Sequence, residues 1–270
     1  MISPRRNSSG SIVVMYRWLA ILAITASCGS VQATPDGPPA VDLARGCVLK
    51  AQMDETSWPA TGNPVLNSCS GAGAGHLTGS GAMPVVDGTR NHVGSFSNNA
   101  CIDFASTPAL HGTTGLTMSA WVRPTALDGQ TSNGVITKRM DRSVQSEYAL
   151  FAWTGNHVWV DFGDSDRFSG TATLTSNVWV QLTAQFDGTR PMNDRVRLFI
   201  NGVLDPLQHA QIGNLDTTLP SYDAPVHVGC TPAPSAMPAT QQTFMGDLDN
   251  VTIWNRALTD DEIAALYHNG

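Results

Sequence analysis

The sequence predicts an all-β fold in which two antiparallel sheets form a jelly-roll sandwich and one short helix ends the chain. Three observations support this prediction. Short segments rich in β-branched and aromatic residues alternate in hydrophobicity with a period of two, and turn residues separate them. No strand–helix–strand rhythm recurs along the chain, which argues against a parallel α/β sheet. After the N-terminal region, the helical period is evident only in the final segment, 259–270.

The N-terminus has the pattern of a secretory signal peptide over residues 1–33. Three arginines precede an apolar run over 18–26, and the small residues Val31 and Ala33 suit cleavage after Ala33. We therefore expect an exported protein, periplasmic or extracellular. The alternative is a lipoprotein that is attached to a membrane through Cys28.

Residues 34–44 are rich in proline and small residues, which predicts a linker before a single domain over 45–270. No later apolar run reaches the roughly 20 residues that span a bilayer. Loss of the signal peptide removes three basic and no acidic residues, which leaves 12 basic against 22 acidic side chains and a net charge of −10. This charge argues against nucleic acid as a partner, because nucleic-acid binding needs basic patches.

Four cysteines remain after cleavage at Ala33: Cys47, Cys69, Cys101 and Cys230. An even number of cysteines in an exported chain predicts two disulfides, and three connectivities are open. The wide spacing contains no Cys-x-x-Cys pair, which argues against a zinc site or dithiol redox chemistry.

The first half of the domain contains short strand patterns over 48–53, 116–124 and 135–138. The pattern over 116–124 is the clearest, and Pro124 ends it. One face of this strand should point into the core, and its residues are Leu116, Met118, Ala120 and Val122.

The second half predicts two hairpins. One joins strands over 148–153 and 157–162 through Thr154-Gly155-Asn156, and the other joins 195–200 to 203–204 through Asn201-Gly202. Asn-Gly between two apolar runs is the strongest two-residue hairpin signal, so the second hairpin has a firm register.

The closing segment predicts a strand over 248–255 that turns directly into a helix. Thr259 is a good N-cap, and Glu262 lies three residues later, as a capping box requires. Leu258 and Ile263 take the positions of a hydrophobic staple. We expect this helix to plug one end of the sandwich with an apolar face of Ile263, Leu266 and Tyr267, and to stop at Gly270.

This closing segment also carries a family resemblance. Gly-Asp-Leu-Asp-Asn-Val at 246–251 and Trp-Asn-Arg-Ala-Leu-Thr at 254–259 resemble the end of laminin-G-like domains of the concanavalin A-like lectin and glucanase superfamily. Pentraxins close in a similar way. Thr-x-Ser-x-Trp-Val-x-Pro at 117–124 resembles a strand of the same domains. The resemblance extends over about 45–270 and implies a jelly roll.

The residues argue against catalysis. Glucanases on related folds place two carboxylates about 5–9 Å apart, whereas Glu55, Glu147 and Glu262 lie in three separate segments. No Gly-x-Ser-x-Gly or His-Glu-x-x-His motif is present. A polysaccharide lyase built around a Tyr/His pair from distant strands is the enzymatic alternative.

We therefore expect a binding module for carbohydrate or a cell-surface partner; a structural or adhesion role is the alternative. Trp153 and Trp159 flank a hairpin turn, and such rings can lie against a sugar ring while polar side chains bind its hydroxyls. The predicted ligand-binding residues are Tyr148, Trp153, Asn156, His157, Trp159, Asp164, Asp166 and Arg167. The alternative is that both tryptophans pack between the sheets. The resemblance implies such a core role for Trp121, Trp179 and Trp254.

Calcium is common in this superfamily, and the resemblance implies that Asp54 and Asp249 end neighbouring strands. Their carboxylates could hold one structural Ca²⁺; alternatively, they accept backbone hydrogen bonds. Gln242 matches a calcium-site glutamine of pentraxins, but Cys-Thr-Pro-Ala-Pro at 230–234 replaces the acidic run that their double site needs.

Overall fold

A computed structural model gives the fold of the chain. It describes residues 41–140, 146–164, 166–211, 215–232 and 242–270. The predicted signal peptide over 1–33, with Cys28, lies outside the described residues, as does most of the predicted linker over 34–44. No helix among the described ranges is long and apolar enough to cross a membrane.

The described chain is built from strands, with one α-helix after the last of them. In chain order, the strands are β1 (Cys47–Ala51), β2 (His76–Thr78), β3 (Ala82–Asp87), β4 (Asn91–Phe96), β5 (Cys101–Phe104), β6 (Gly115–Pro124), β7 (Asn133–Arg139), β8 (Ser146–Trp153), β9 (His157–Phe162), β10 (Arg167–Thr173), β11 (Val180–Asp187), β12 (Val196–Ile200), β13 (Val203–Asp205), β14 (Leu207–Gln211), β15 (Val226–Val228), β16 (Cys230–Thr231), β17 (Gln242–Thr243) and β18 (Gly246–Trp254). The helix is α1 (Asp260–Asn269). Single 3₁₀ turns cover Pro108–Leu110, Thr154–Asn156 and Met192–Asp194.

Two antiparallel sheets form the predicted sandwich. Sheet 1 has the order β13-β12-β11-β6-β18-β4-β3, and β1 pairs with the end of β18 that β4 leaves open. Sheet 2 has the order β14-β10-β9-β8-β7-β15-β5-β2, with β16 and β17 beside β7. The one parallel contact among the described strands joins β17 to β7. The sequence-based prediction of an antiparallel jelly roll is therefore confirmed.

The core lies between the two sheets and follows the alternation along each strand. Leu116, Met118, Ala120 and Val122 all belong to it, as the alternation in β6 predicts. The rings of Phe162 in sheet 2 and Phe186 in sheet 1 meet with their centroids 5.6 Å apart. Residues of the opposite parity along each strand therefore form the outer faces of the sandwich.

Both predicted hairpins form, and each turn contains residues with positive φ. Gly155 and Asn156 have φ angles of 71° and 62°, and Asn201 and Gly202 have φ angles of 52° and 76°. Glycine and asparagine tolerate this left-handed region better than other residues, so the turn chemistry in the sequence fixes both hairpins.

The four cysteines form two disulfides, and the structure decides the connectivity. Cys47 pairs with Cys69 and ties β1 to the following loop. Cys101 pairs with Cys230 across 129 positions of sequence and joins β5 to β16 within sheet 2. The second bridge closes the longer loop, so we expect it to restrict the unfolded chain more strongly.

The C-terminal helix begins as predicted but lies in a different place. The Thr259 hydroxyl accepts a hydrogen bond from the Glu262 backbone N–H, and the Glu262 carboxylate accepts one from the Thr259 backbone N–H, so the capping box forms. Ile263 of α1 clusters with Trp254 and Phe199, which lie on the outer face of sheet 1. The helix covers that face rather than an open end of the sandwich, because these outward-facing side chains need an apolar cover.

Candidate ligand-binding surface

The outer face of sheet 2 carries a group of aromatic and charged side chains from three adjacent strands. We name it the aromatic–arginine patch, and its residues are Phe151, Trp153, Trp159, Asp161 and Arg167. The rings of Trp153 and Trp159 have centroids 5.2 Å apart and are inclined by 60°, and Phe151 lies 6.5 Å from Trp153. Phe151 and Trp159 belong to a cluster separate from the inter-sheet core. The two tryptophans therefore do not pack between the sheets.

Arg167 is held against these rings by Asp161. Its Nε and Nη2 atoms donate to the two carboxylate oxygens of Asp161 at 2.8 and 2.9 Å. Its guanidinium carbon lies 5.4 Å from the Trp153 ring centroid and 5.7 Å from that of Phe151. The hydrogen bonds that Arg167 donates to Asp161 raise the pKa of Arg167 above its usual value. The two-pronged pairing fixes the direction in which the guanidinium points.

Access to the patch is restricted to two side chains. Trp159 is 8% exposed and Phe151 is 2% exposed, so both support the patch by packing and offer little surface to a ligand. Trp153 is half-buried, and its indole nitrogen donates to the Gln130 carbonyl at 2.7 Å, which holds the ring in place. The Arg167 side chain is 31% exposed. A ligand that approaches this face would meet the Trp153 ring and the Arg167 guanidinium together.

The other predicted ligand-binding residues surround the patch or lie at strand ends. Asn156 occupies the β8–β9 turn, and His157 Nδ1 lies 3.1 Å from the Ala172 carbonyl oxygen. Asp164 accepts a hydrogen bond from the Ser146 backbone N–H at 2.9 Å and another from the Tyr222 hydroxyl. Asp166 is buried.

Tyr148 lies on the opposite face of β8 from Trp153. It is fully buried in the inter-sheet core, and its hydroxyl donates to the Leu110 carbonyl at 2.8 Å. Burial raises its pKa well above the ordinary value. Tyr148 therefore anchors the core and does not reach the surface where the patch lies.

A second charged cluster was not predicted from the sequence. Glu147 is fully buried, and its Oε1 atom accepts hydrogen bonds from Lys138 Nζ at 2.9 Å and from the Tyr222 backbone N–H. His111 Nδ1 lies 2.7 Å from the same oxygen. Lys138 also donates to the Tyr222 carbonyl at 2.6 Å. These contacts tie the segment before β15 to sheet 2. The sequence signal that could have revealed the Lys138–Glu147 pair is its opposite charges, which lie on the neighbouring strands β7 and β8.

The outer face of sheet 1 holds a stack that we name the arginine–tryptophan ladder: Tyr267, Trp121, Arg90, Trp179 and Arg123. The guanidinium carbon of Arg90 lies 4.2 Å from the Trp121 ring centroid and 5.3 Å from that of Trp179. The guanidinium carbon of Arg123 lies 4.8 Å from the Trp179 ring centroid. Tyr267 of α1 stacks on Trp121, and their ring centroids are 5.7 Å apart. Trp121 and Trp179 are thus outside the inter-sheet core, contrary to the expectation from the sequence.

Trp254 was also expected in the core. It is 2% exposed, but it is buried beneath α1 on the outer face of sheet 1. Its indole nitrogen donates to the Leu43 carbonyl at 2.8 Å. Trp121, Trp179 and Trp254 therefore pack on the outer face of sheet 1 rather than filling the space between the sheets.

The predicted calcium ligands lie beside this ladder. Arg90 Nε donates to Asp249 Oδ2 at 2.6 Å, and the next residue, Asn91, donates to Asp54 Oδ1 at 3.4 Å. Burial raises the pKa of Asp249 to about 6, Arg90 opposes this shift, and the nearby charge of Asp54 adds to it. Two carboxylates that repel each other suit a divalent cation, although an ion would share Asp249 with Arg90.

The sequence profile of the concanavalin A-like lectin/glucanases superfamily, in its laminin G form, matches residues 96–264. This match covers more than half of the chain, and the chain therefore belongs to this superfamily. No curated protein sequence matches the chain significantly.

Solved structures share the fold at low sequence identity. The binding domain of Paraclostridial Mosquitocidal Protein 1 has a TM-score of 0.59 and 14% identity, over 84% of this chain and 53% of that one. Domain 4 of AbnA, an extracellular arabinanase from Geobacillus stearothermophilus in complex with arabinotriose, has a TM-score of 0.57 and 17% identity, over 82% and 98%. The binding domain of botulinum neurotoxin serotype G has a TM-score of 0.54 and 18% identity, over 83% and 51%. The chain thus spans about half the length of the two toxin domains.

Proposed function

We propose that the protein is an exported, non-catalytic module that binds carbohydrate through the aromatic–arginine patch. The observation that carries this proposal is the partly exposed Trp153 ring, which packs on Trp159 and lies beside an arginine whose direction Asp161 fixes. The two disulfides are compatible with an oxidising compartment outside the cytosol.

The patch offers the two kinds of contact that sugars require. The face of the Trp153 ring can lie against the C–H groups of a sugar ring, which removes apolar surface from water. Arg167 uses Nε and Nη2 for Asp161, and its remaining N–H groups can donate to sugar hydroxyls. Because these side chains are already packed and paired, little conformational entropy is lost on binding.

The positions of the glutamates support the non-catalytic part of the proposal. Glu55 accepts hydrogen bonds from the Trp58 indole N–H at 3.1 Å and from a backbone N–H. Glu147 is buried against Lys138, and Glu262 caps α1. Each glutamate makes structural contacts in a different part of the sandwich, whereas glycoside hydrolysis needs two facing carboxylates.

The structural neighbours lend further support at the level of fold. The arabinanase domain is described with arabinotriose, and the two toxin domains are described as binding domains. A jelly roll of this kind therefore serves binding in proteins that differ widely in sequence, although a shared fold does not transfer a ligand.

The proposal is tested with the mature chain on a glycan array, followed by calorimetry with each sugar that binds. We expect Trp153→Ala to weaken binding by about tenfold to a hundredfold, which corresponds to about 1.4–3 kcal/mol. Trp58→Ala is the matched control, because Trp58 is also partly buried but lies beside Phe96 of sheet 1. Equal binding by the two variants, or release of reducing or unsaturated sugar products, contradicts the proposal.

A structural or adhesion role is the second candidate, and one observation favours it. Both edge strands of sheet 1 expose apolar side chains: Met83 and Val86 on β3 are 55% and 79% exposed, and Val203 and Leu204 on β13 are 69% and 50% exposed. Exposed apolar edges can pair with another chain. A glycan array without signal, together with self-association that Val86→Lys abolishes, would favour this role over sugar binding.

A further inference from the structure

A histidine and an aspartate lie beside the Cys101–Cys230 disulfide on the outer face of sheet 2. Ile102 belongs to the inter-sheet core, so alternation along β5 directs Cys101 and Asp103 to the opposite face. His227 lies directly opposite Asp103 on the adjacent strand β15 and shares that face. β7 lies between β15 and the three strands that carry the aromatic–arginine patch, so this cluster is separate from the function proposed above.

The atoms of this cluster that could bind a metal lie close together. One ring nitrogen of His227 and the sulfur atoms of Cys101 and Cys230 all lie within 4.8 Å of one another. His227 Nδ1 lies 2.7 Å from Asp103 Oδ1, and a proton donated from Nδ1 leaves the lone pair of Nε2 for another partner. Both cysteines are fully buried, whereas the His227 side chain is 13% exposed and that of Asp103 is 25% exposed. A small ion therefore has only a short distance to travel from solvent to the sulfur atoms.

Hydrogen bonds of the sheet hold these residues in place independently of the S–S bond. β15 pairs with β5 on one side and with β7 on the other. Cys230 pairs with Thr243 of β17, and its carbonyl accepts a hydrogen bond from the Thr137 hydroxyl at 3.0 Å. Thr137 in turn lies opposite His227 in the β7–β15 ladder. Cleavage of the S–S bond would therefore leave both sulfur atoms near the imidazole.

We propose that the Cys101–Cys230 disulfide, once reduced, becomes a Zn²⁺ site in which His227 is the third protein ligand. A dithiol reductant transfers two electrons and two protons to the S–S bond, which yields two thiols, and is itself oxidised to a disulfide. Zn²⁺ then displaces the two thiol protons and binds both thiolates and Nε2 of His227. The disulfide and the zinc-bound dithiolate are thus two alternative links between β5 and β16.

The donor set and its spacing suit zinc. Two thiolates and an imidazole are ligands of Zn²⁺, whereas Ca²⁺ and Mg²⁺ need oxygen ligands. Tetrahedral zinc, with bonds of about 2.0–2.3 Å, places its ligand atoms about 3.5–3.8 Å apart, so modest side-chain rotations convert the observed cluster into a site. Asp103 fixes the ring of His227 through Nδ1, as carboxylates do beside zinc-bound histidines. Water completes the fourth position.

The experiment reduces the mature chain with a phosphine, which takes an oxygen atom from water and becomes a phosphine oxide. Co²⁺ is then added without air as a coloured substitute for Zn²⁺. We expect one Co²⁺ per reduced chain, with a sulfur-to-cobalt charge-transfer band and the visible bands of a four-coordinate ion, and no such spectrum from the oxidised chain. Zn²⁺ should displace Co²⁺ and raise the Tm of the reduced chain.

Variants identify the ligands, and competition with a chelator measures their Zn²⁺ affinity. His227→Ala should weaken binding by more than about a hundredfold, because it removes a ligand, while the oxidised chain keeps both disulfides and nearly the same Tm. Asp103→Asn should weaken binding by about tenfold to a hundredfold, as expected when the residue that orients a metal-bound histidine is changed.

The Cys47–Cys69 disulfide supplies the matched control. Within the described part of the chain, this pair has no third ligand close enough to complete a site, so the double variant Cys47→Ser and Cys69→Ser should bind Zn²⁺ as tightly as the wild type. If reduction unfolds the metal-free chain, Zn²⁺ should restore the tryptophan fluorescence of the folded state.

Three results would overturn the proposal. The cobalt spectrum would lack the sulfur charge-transfer band, His227→Ala would bind Zn²⁺ as tightly as the wild type, or Zn²⁺ would neither raise the Tm of the reduced chain nor refold it. None of these results bears on sugar binding by the aromatic–arginine patch, so the two hypotheses fail separately.

Discussion

The two outer faces of the sandwich use tryptophan, arginine and aspartate in different ways. On sheet 1, Arg90 lies between the rings of Trp121 and Trp179, and its side chain is only 10% exposed. On sheet 2, Arg167 lies beside Trp153 and its side chain is 31% exposed. The first arrangement encloses its central arginine between two rings, and the second leaves its arginine partly exposed beside one ring.

The helix explains this difference. Tyr267 of α1 stacks on Trp121 and closes one end of the ladder, so the cation within it must be neutralised by a buried acid, Asp249. α1 packs on sheet 1, and Trp153 on sheet 2 keeps part of its ring exposed. The same residue types therefore enclose an arginine on the face where α1 packs and leave one partly exposed on sheet 2.

Replacement of the arginine on each face by alanine should give the largest difference in stability between the two faces. Arg90→Ala leaves Asp249 buried without its partner, and loss of one member of a buried pair costs about 3–5 kcal/mol. Arg167→Ala should cost only about 1 kcal/mol, because Asp161 keeps a contact with Arg139 at 3.4 Å and the arginine is partly solvated. Urea denaturation of both variants measures the difference. Similar costs would show that the ladder is no more closed than the patch.

Replacement of a tryptophan by alanine should also cost more stability on sheet 1 than on sheet 2, and both losses should be smaller than the loss caused by Arg90→Ala. Trp121→Ala removes a ring that contacts both Arg90 and Tyr267, and we expect a loss of about 2–3 kcal/mol in the free energy of unfolding. Trp153→Ala should cost about 1 kcal/mol or less while it weakens sugar binding. Calorimetry and denaturation of the same two proteins separate the roles. A Trp153→Ala protein as unstable as Trp121→Ala would mean that the exposed ring is structural.

Patterns within one strand or helix predict the local arrangement, whereas contacts between segments distant in sequence are not predicted. The alternation in β6 correctly placed Leu116 and Met118 in the core, and Thr259 correctly marked the start of α1. The same alternation separates Tyr148 from Trp153, since they are five residues apart on β8 and face opposite sides. Parity along the strand could therefore have left Tyr148 out of the predicted ligand-binding set.

The ladder and the disulfide pairing could not be predicted in this way. Arg90 lies in the turn between β3 and β4, and nothing in its local sequence indicates that it meets Trp121 and Trp179. Likewise, Cys101 meets Cys230 only because β5 and β15 are adjacent in sheet 2. Such contacts depend on strand order, which short-range patterns do not encode.

Acid should destabilise the helix-covered face through Glu262. Hydrogen bonds from Arg256 lower the pKa of Glu262 to about 2 from an ordinary value of 4.5. Because the folded state binds this proton more weakly than the unfolded state, its stabilisation is complete above pH 4.5 and is lost as the pH falls towards 2.

Glu262→Gln tests this effect, since glutamine can keep the capping box but has no charge to titrate. The difference in unfolding free energy between wild type and variant should be about 1–2 kcal/mol at pH 6, after allowance for solvent screening, and should shrink towards pH 3. Chemical denaturation across this range measures it. A difference that stays constant with pH would contradict the role of the charge. Glu55→Gln, in the loop after β1, serves as the control.

The smallest expected effect concerns calcium beside the ladder. We propose that Asp54 and Asp249 hold one Ca²⁺ weakly, because Arg90 already donates to Asp249 at 2.6 Å. With a dissociation constant of about 0.1–1 mM, typical of extracellular modules, 2 mM Ca²⁺ should stabilise the fold by about 1 kcal/mol relative to EDTA. Asp54→Asn should remove this gain, whereas Asp128→Asn in a sheet 2 loop should not. If Tm is the same in calcium and EDTA, then Arg90 alone neutralises the pair, and the ladder is closed by protein groups without help from an ion.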